Sequence, residues 1–518
     1  MSKKFKLITL MLAVLLVLSA CSSNNASNSN KGTNAPEGVT SEQSKVITIA
    51  NPADIESFDP HNNNNTFSES VIINVFDYLV KNDAKQDKVP GLATEWEMVD
   101  ETTWRFILRE DVKFHNGDPF TAADVKYSFE RVAQDSTLKQ HSYFNHITEV
   151  KVISDYTVEF ITENPDPILL NRLSKMGAGI LPSKYIEENG IEAFLANPIG
   201  TGPYKFSSWT KDDRIVLVKN DNYYNGQPQW NEVVFRMIPE ASTRVSELLT
   251  GGVDIISGVP VTDIERINAE ETTKVESGTI QRVLHLLMRT AEGNVTADPK
   301  VREAIELAID NQTLIDSIAG GKGTPTRTSV TPGNFGSDPS LYEKYIYDTE
   351  KAKQLLVEAG YANGGPSLTL SSNTTYKEIA EVVAAMLSEV GFQVTLDILE
   401  PSKFTETYNA KGFKDLFILG VGNSLFDASN NYNRFLQVNS AGETDWINPR
   451  VEELLQSALS NMDPVSREQQ YQEVQQFIAE ERPTIYLYQM QGVFGVNERI
   501  NFTPRLDEMF IVEEISLN

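Results

Sequence analysis

Apolar and polar positions change rhythm repeatedly along the chain, and each rhythm predicts an element. Val46 to Ala50 alternates with a period of two, and Thr103 to Arg109 does so with bulkier residues, so both read as strands. Asn116-Gly117-Asp118-Pro119 reads as a turn. Thr121 then opens a helix, with Asp124 three residues on and Val125, Phe129 and Val132 on one face. Helical spacing recurs over Asp298 to Ile309, Thr349 to Glu358, Tyr376 to Val390, Pro449 to Leu459 and Ser466 to Glu480. Strands are expected at Ile215 to Val218, Val233 to Ile238, Leu368 to Leu370, Val394 to Leu399 and Ile485 to Tyr488. No period of about 20–50 residues repeats, which argues against solenoids and propellers. The intermingling predicts an α/β or α+β chain of several lobes. Residues 375–399 and 466–489 each read as a helix, a breaker (Gly391 or Pro483) and a strand, and are expected to share one lobe.

The N-terminus follows a different pattern. Lys3, Lys4 and Lys6 precede an apolar run from Leu7 to Leu18, then Ser19, Ala20 and Cys21. A basic start, a short apolar stretch and small residues before a cut describe a secretory signal peptide over 1–20. The run is shorter than the roughly 20 residues a membrane-spanning helix needs. Residues 21–45 are mostly Ser, Asn, Gly, Thr and Pro and read as a disordered polar tether. Leu18-Ser19-Ala20-Cys21 resembles the lipobox of bacterial lipoproteins, which implies a diacylglyceryl thioether on Cys21 and cleavage before it. Acyl chains contribute about 0.8 kcal/mol per buried methylene, so two or three of them hold firmly. The expected location is the outer face of the cytoplasmic membrane, with the membrane touched only through the lipid.

Composition narrows the function. Cys21 is the only cysteine in the 518 residues, so no internal disulfide and no cysteine-ligated metal site forms. Loss of the leader removes three lysines and no acid, taking the formal charge from −27 to −30. Such a body is a poor nucleic-acid binder. No Gly-x-Ser-x-Gly elbow, His-Glu-x-x-His helix or Gly-x-x-x-x-Gly-Lys-Ser/Thr loop is present. Gly320-Gly321-Lys322-Gly323-Thr324 has the wrong spacing for a phosphate loop and reads as a turn after a helix. Five scattered histidines suggest no metal cluster, and His61-Asn62-Asn63-Asn64-Asn65 reads as a polar loop able to face a ligand. The inventory suits a binder without reaction chemistry or cofactor.

Three stretches carry a family resemblance. The first runs from Val89-Pro90-Gly91-Leu92-Ala93-Thr94-Glu95-Trp96 through Val112-Lys113-Phe114-His115-Asn116-Gly117. The second is Gly200-Thr201-Gly202-Pro203-Tyr204-Lys205-Phe206 with Ile238-Pro239-Glu240-Ala241-Ser242-Thr243-Arg244. The third is Val301-Arg302-Glu303-Ala304-Ile305 with Glu358-Ala359-Gly360-Tyr361. Together they resemble the extracellular solute-binding proteins of ABC importers that carry dipeptides, oligopeptides, glutathione and nickel complexes. The resemblance implies an α/β, two-lobed periplasmic-binding-protein clamp with an extra subdomain inserted in lobe one. Lobe one is expected over 46–280, with the insertion at about 65–195 and a return over 492–518; lobe two is expected over 281–491. It also implies a monomer that captures a small peptide-like solute and delivers it to a permease and ATPase complex. A surface sensor of peptides and a receptor for a metal chelate are the alternatives. The glycines of the second stretch are expected to supply a tight turn, with Trp96 and Phe114 in the core of the insertion.

Relatives that bind dipeptides place an aspartate of lobe two against the ligand's ammonium, in a pattern like Gly-Trp-x-x-Asp-x-x-Asp-Pro. Here Gly420-Val421-Gly422-Asn423-Ser424-Leu425-Phe426-Asp427-Ala428 has Ser424 for the first aspartate and keeps Asp427 for the second. By this resemblance Ser424, Asp427 and the neighbouring Asn423 are candidate ligand contacts, while Asp427 would equally cap the turn that follows. The same relatives fork an arginine onto the ligand carboxylate after the strand at Leu368. This chain has Ser371-Ser372-Asn373-Thr374-Thr375-Tyr376 there, which makes Asn373 a candidate and leaves Arg289, Arg327 or Arg434 to replace the cation.

Overall fold

Two long antiparallel strands, Thr273–Met288 and Thr484–Asn497, form the spine of an 11-stranded mixed sheet. The computed structural model containing them describes residues 45–362 and 364–518. The leader, Cys21 and all but the last residue of the tether lie outside the described residues. Beside Thr273–Met288 the sheet continues through Leu416–Val421, Ser367–Asn373 and Gln393–Leu399. Beside Thr484–Asn497 it continues through Ile255–Ser257, Val46–Asn51, Glu232–Met237, Arg214–Lys219 and Tyr204–Thr210. Val46–Asn51 and Ser367–Asn373 each lie parallel to both neighbours. Parallel pairing needs long crossovers, and helices supply them in the α/β manner.

The register of the spine breaks near its middle. Thr273 faces Asn497 and the ladder runs to Thr279 opposite Gln491; it resumes with Val283 opposite Gln489. Residues Ile280 to Arg282 thus stand against Met490 alone. On one side of the break, Ile49, Val75, Trp230, Phe494 and Phe510 share a core. On the other, Leu286, Leu370 and Ile418 of the sheet pack against Ile305, Leu356 and Val383 of three covering helices.

A third core lies apart from the spine. A four-stranded sheet, Ala93–Asp100, Thr103–Leu108, Thr157–Thr162 and Ile147–Ser154 in spatial order 1-2-4-3 by sequence, covers the helix Ala122–Gln134. The predicted helix face of Val125, Phe129 and Val132 is buried in it. Phe129 meets Phe160 edge-on at 4.9 Å. At the helix start the Thr121 N–H donates to the Asp124 carboxylate at 2.9 Å, the reciprocal cap the sequence implied. Phe114 is buried in this core, and Trp96 packs against it.

The predicted strands and helices lie within a residue or two of those observed, apart from the spine and from Leu368–Leu370, whose strand runs on to Asn373. Only the apolar end of Thr273–Met288 reads as strand in the sequence, and Ile485–Tyr488 is the buried start of a longer strand. Two local expectations change. Gly200 and Gly202 do not take positive φ. A Cβ at Gly200 would fall 2.0 Å from the Val75 oxygen, so close passage of two backbones excludes a side chain there. The loop at His61–Asn65 is bonded inward. The Asn63 amide donates to Asp59 O, and His61 Nε2–H donates to Gly179 O at 3.2 Å while Nδ1 accepts from Arg131 at 2.7 Å.

That arrangement keeps the buried His61 neutral. Burial, with Arg131 adding to it and Asp59 opposing, lowers its pKa from 6.5 to about 4. Between those values the unfolded chain binds more protons, so folding stability falls as pH drops through the window. Chemical denaturation from about pH 7 down to 4 is expected to show declining stability, with a smaller decline in His61→Asn.

Candidate functional site

A cavity of about 300 Å³ lies where the spine breaks register, lined there by Gln281. That is the lower end of the volumes that bind small molecules, about 300–1,000 Å³. One wall is built from four segments near the first core. The short helix Thr66–Ile72 supplies Glu69, and the segment leaving it supplies Asn74 and Tyr78. Lys81 and Val89 come from the hairpin Val80–Asn82/Lys88–Pro90. Lys175 and the C-terminal stretch with Arg505, Asp507 and Glu513 complete that wall. The opposite wall is Gln281, Ser424 and Phe426.

Backbone geometry explains how the second wall is held. Phe426 takes positive φ of 52° in the turn after Leu416–Val421, and its N–H donates to Asn423 O at 3.2 Å. Gln281, in the register break, accepts the Asn423 N–H at 3.0 Å. Next to the cavity the segments behind the walls are bridged, the Asn171 amide donating to Leu425 O at 2.5 Å.

Charges on the first wall are unevenly answered. Arg505 pairs with Asp507 at 2.6 Å and Glu514 at 2.7 Å, and Lys81 pairs with Asp77 at 2.5 Å. Glu69 accepts the Met176 N–H at 2.6 Å. Among the described residues no cation lies within ion-pair distance of it. Lys175 donates to Gln140 at 3.2 Å and sits 3.3 Å over the Tyr143 ring. Burial raises the Glu69 pKa, with Lys175 working against the rise, and burial lowers Lys175 to about 7 despite Glu69. Burial likewise raises Glu513 against the pull of Lys81. The Tyr78 hydroxyl is buried in this wall with no hydrogen-bond partner among the described residues.

Of the residues singled out in the sequence, Ser424 lines the cavity and the other six do not. Asp427 is 2% exposed and its carboxylate forks onto Arg467, with both N···O distances at 2.7 Å. It also caps the helix Ala428–Tyr432 through Ser429 N. Both oxygens are committed, so the reading of Asp427 as a ligand anchor gives way to an internal role. Asn423 spends its side chain on Asp427 N and O, and Asn373 caps Thr375 and Tyr376. Arg289 is held by Asp445 at 2.5 Å and Phe413 O at 2.7 Å. Arg327 pairs with Glu306 at 2.8 Å, and Arg434 lies 3.4 Å from Glu443. None of these arginines reaches the cavity. Sequence reasoning passed over Glu69, Tyr78, Lys81 and Lys175. Lys175 did leave a signal, as one of two charges, with Arg172, in the mostly apolar stretch from Ile168 to Leu181.

Comparison with known proteins decides the family. Residues 88–443 match the bacterial extracellular solute-binding proteins, family 5 Middle. The chain belongs to that family. This solute-binding protein is 28% identical to the oligopeptide-binding protein AppA of Bacillus subtilis, over 98% of each chain. It is 26% identical to the glutathione-binding protein GsiB of Salmonella paratyphi A, over 86% of this chain and 88% of that one. Among solved structures it resembles the periplasmic binding protein DppA of Helicobacter pylori in complex with the peptide STSA. The TM-score is 0.78 at 26% identity, over 91% of this chain and 98% of that one. The fold is the α/β two-lobed clamp expected from the sequence, and the family consists of solute-binding proteins rather than enzymes.

The Asp427–Arg467 pair yields a prediction. Removing one partner of a buried ion pair leaves an unanswered charge and costs about 3–5 kcal/mol. Asp427→Ala is therefore expected to lower unfolding free energy by about that much in chemical denaturation.

Proposed function

We propose that this protein is the lipid-anchored receptor of an ABC importer for a small peptide-like solute. The cavity between the lobes carries this reading. It is large enough for a short peptide and has polar groups on both walls at the point where the sheet's register breaks. The relatives named for oligopeptides and glutathione, and the neighbour solved with a tetrapeptide, support the class of solute. Lobe one spans 46–280 and 492–518, with its insertion at about 65–195, and lobe two spans 281–491; the cores on either side of the break between Thr279 and Val283 support the division into lobes. The third core, drawn from Tyr78 to Ile199, supports the insertion but leaves Val71, Phe76, Met176 and Phe194 packed in lobe one. Ser424 in place of an aspartate leaves lobe two without an acid on the cavity, which turns the pocket away from the dipeptide mode of its relatives.

The deciding experiment is mass spectrometry of the solute that co-purifies from the native host. A short peptide or glutathione-like molecule is expected, and a metal chelate or a sugar would sink the reading. Solute is also expected to draw the lobes together: X-ray scattering should give a smaller radius of gyration with bound peptide. At a hundredfold excess over Kd the stability gain is about 2.7 kcal/mol. Unchanged scattering at saturation would count against the hinge.

Anchoring rests on Leu18-Ser19-Ala20-Cys21 and the polar stretch behind it. Cys21→Ser is expected to shift the protein from the detergent phase to the aqueous phase, or to leave the precursor uncut. Partitioning equal to wild type would exclude the lipid.

A further inference from the structure

The carboxylates of the cavity do not balance against its cations. Arg505 is consumed by Asp507 and Glu514, and Lys81 by Asp77 behind the wall. Glu69 keeps one oxygen on Met176 N and has no cation at ion-pair distance among the described residues. A carboxylate held away from water costs several kcal/mol unless a positive group answers it. The buried Tyr78 hydroxyl on the same wall also lacks a partner, and a buried polar atom left unbonded is uncommon in native proteins. An acid without a cation and a hydroxyl without a partner are therefore open to the same cavity.

We propose that lobe one supplies the anchor for a positively charged group of the solute, with Glu69 accepting an ammonium and the Tyr78 hydroxyl completing its hydrogen bonds. The ammonium has three donors, which suits acceptors placed around it rather than a flat fork. Ser424 and Gln281, facing from lobe two, carry no charge, so the charge recognition is one-sided. Lys175, on the same wall and already bonded to Gln140, is placed to meet an anionic group elsewhere on the same solute. Burial of Glu69 and Lys175 lifts the acid and depresses the base, as expected of charges that await partners. The site would take a primary amine that also carries a carboxylate, which a free peptide provides. The proposal rests on the cavity being the solute site.

Calorimetry separates the two ideas. The probes are trialanine, N-acetyl-trialanine and a four-carbon alkyl diamine, titrated into wild type, Glu69→Gln and Tyr78→Phe. Glutamine keeps an acceptor for Met176 N, and thermal midpoints confirm that each variant is folded. Trialanine is expected to bind at least tenfold more tightly than its acetylated form, and Glu69→Gln should abolish that ratio while Tyr78→Phe reduces it. Equal affinity for the two peptides would overturn the ammonium anchor and leave peptide capture standing. Binding of the diamine alone, lost in Glu69→Gln, would uphold the anchor and overturn peptide capture. No binding by any probe would overturn both.

Discussion

The molecule depends on a single pair of strands that belongs to both lobes. Thr273–Met288 and Thr484–Asn497 carry the sheet across the middle of the chain, and each end is locked into a different core. A continuous ladder there would make one stiff slab. The break between Thr279 and Val283 interrupts it, yet few polar groups are abandoned. Gln281 N–H donates to Leu506 O at 3.0 Å, and Ile280 O accepts from the Gln489 side chain at 2.8 Å. Side chains and a distant loop thus replace the ladder, which satisfies the backbone without fixing its direction. Gln281 then does a second thing: its side chain holds Asn423 and so the turn that presents Ser424. Crossing, turn and cavity are joined through one residue.

Buried charge is treated differently on either side of that boundary. Inside the lobes, cations are answered within the chain. Arg467 forks onto Asp427, and Arg131 pairs with Asp59 at 2.7 Å. Arg244 donates to Ile238, Pro239 and Ser257 carbonyls, and Arg302 does the same to Thr296, Ala297 and Glu481 carbonyls. Both of these last arginines lie in the stretches that carried the family resemblance. Their work is to gather carbonyl oxygens at helix ends and turns, which is scaffold chemistry. Against that background the unanswered Glu69 stands out, because the chain elsewhere shows how readily it supplies a partner.

This division explains what the sequence could and could not show. Elements with a clear period, such as Ala122–Gln134 or Lys377–Glu389, were legible because one face is buried and the other wet. The polar part of the spine was not, since Lys274 to Thr279 is half-buried and reads as ordinary alternating surface. The site was harder still. Asp427 and Asn423 sit in the loop that the resemblance singled out, yet their partners, Arg467 and Gln281, lie 40 and 142 residues away. No local pattern reveals that a carboxylate is already engaged by a residue so distant. Ser424 was legible as a loss, and only the fold shows what faces it across the cavity.

The overall charge adds less to recognition than its size suggests. A formal charge of −27 would favour approach of a cationic solute. At physiological ionic strength, however, the Debye length is about 8 Å, so exposed carboxylates beyond that range are largely screened. Charges lining a cavity with low-dielectric walls escape much of this screening, because little salt enters between them and the solute. Glu69 and Glu513 on the cavity wall therefore keep more of their field than the many surface acids. The acidic exterior thus acts only at short range, whereas the groups lining the cavity beside the crossing of the two strands keep their charge effective inside it.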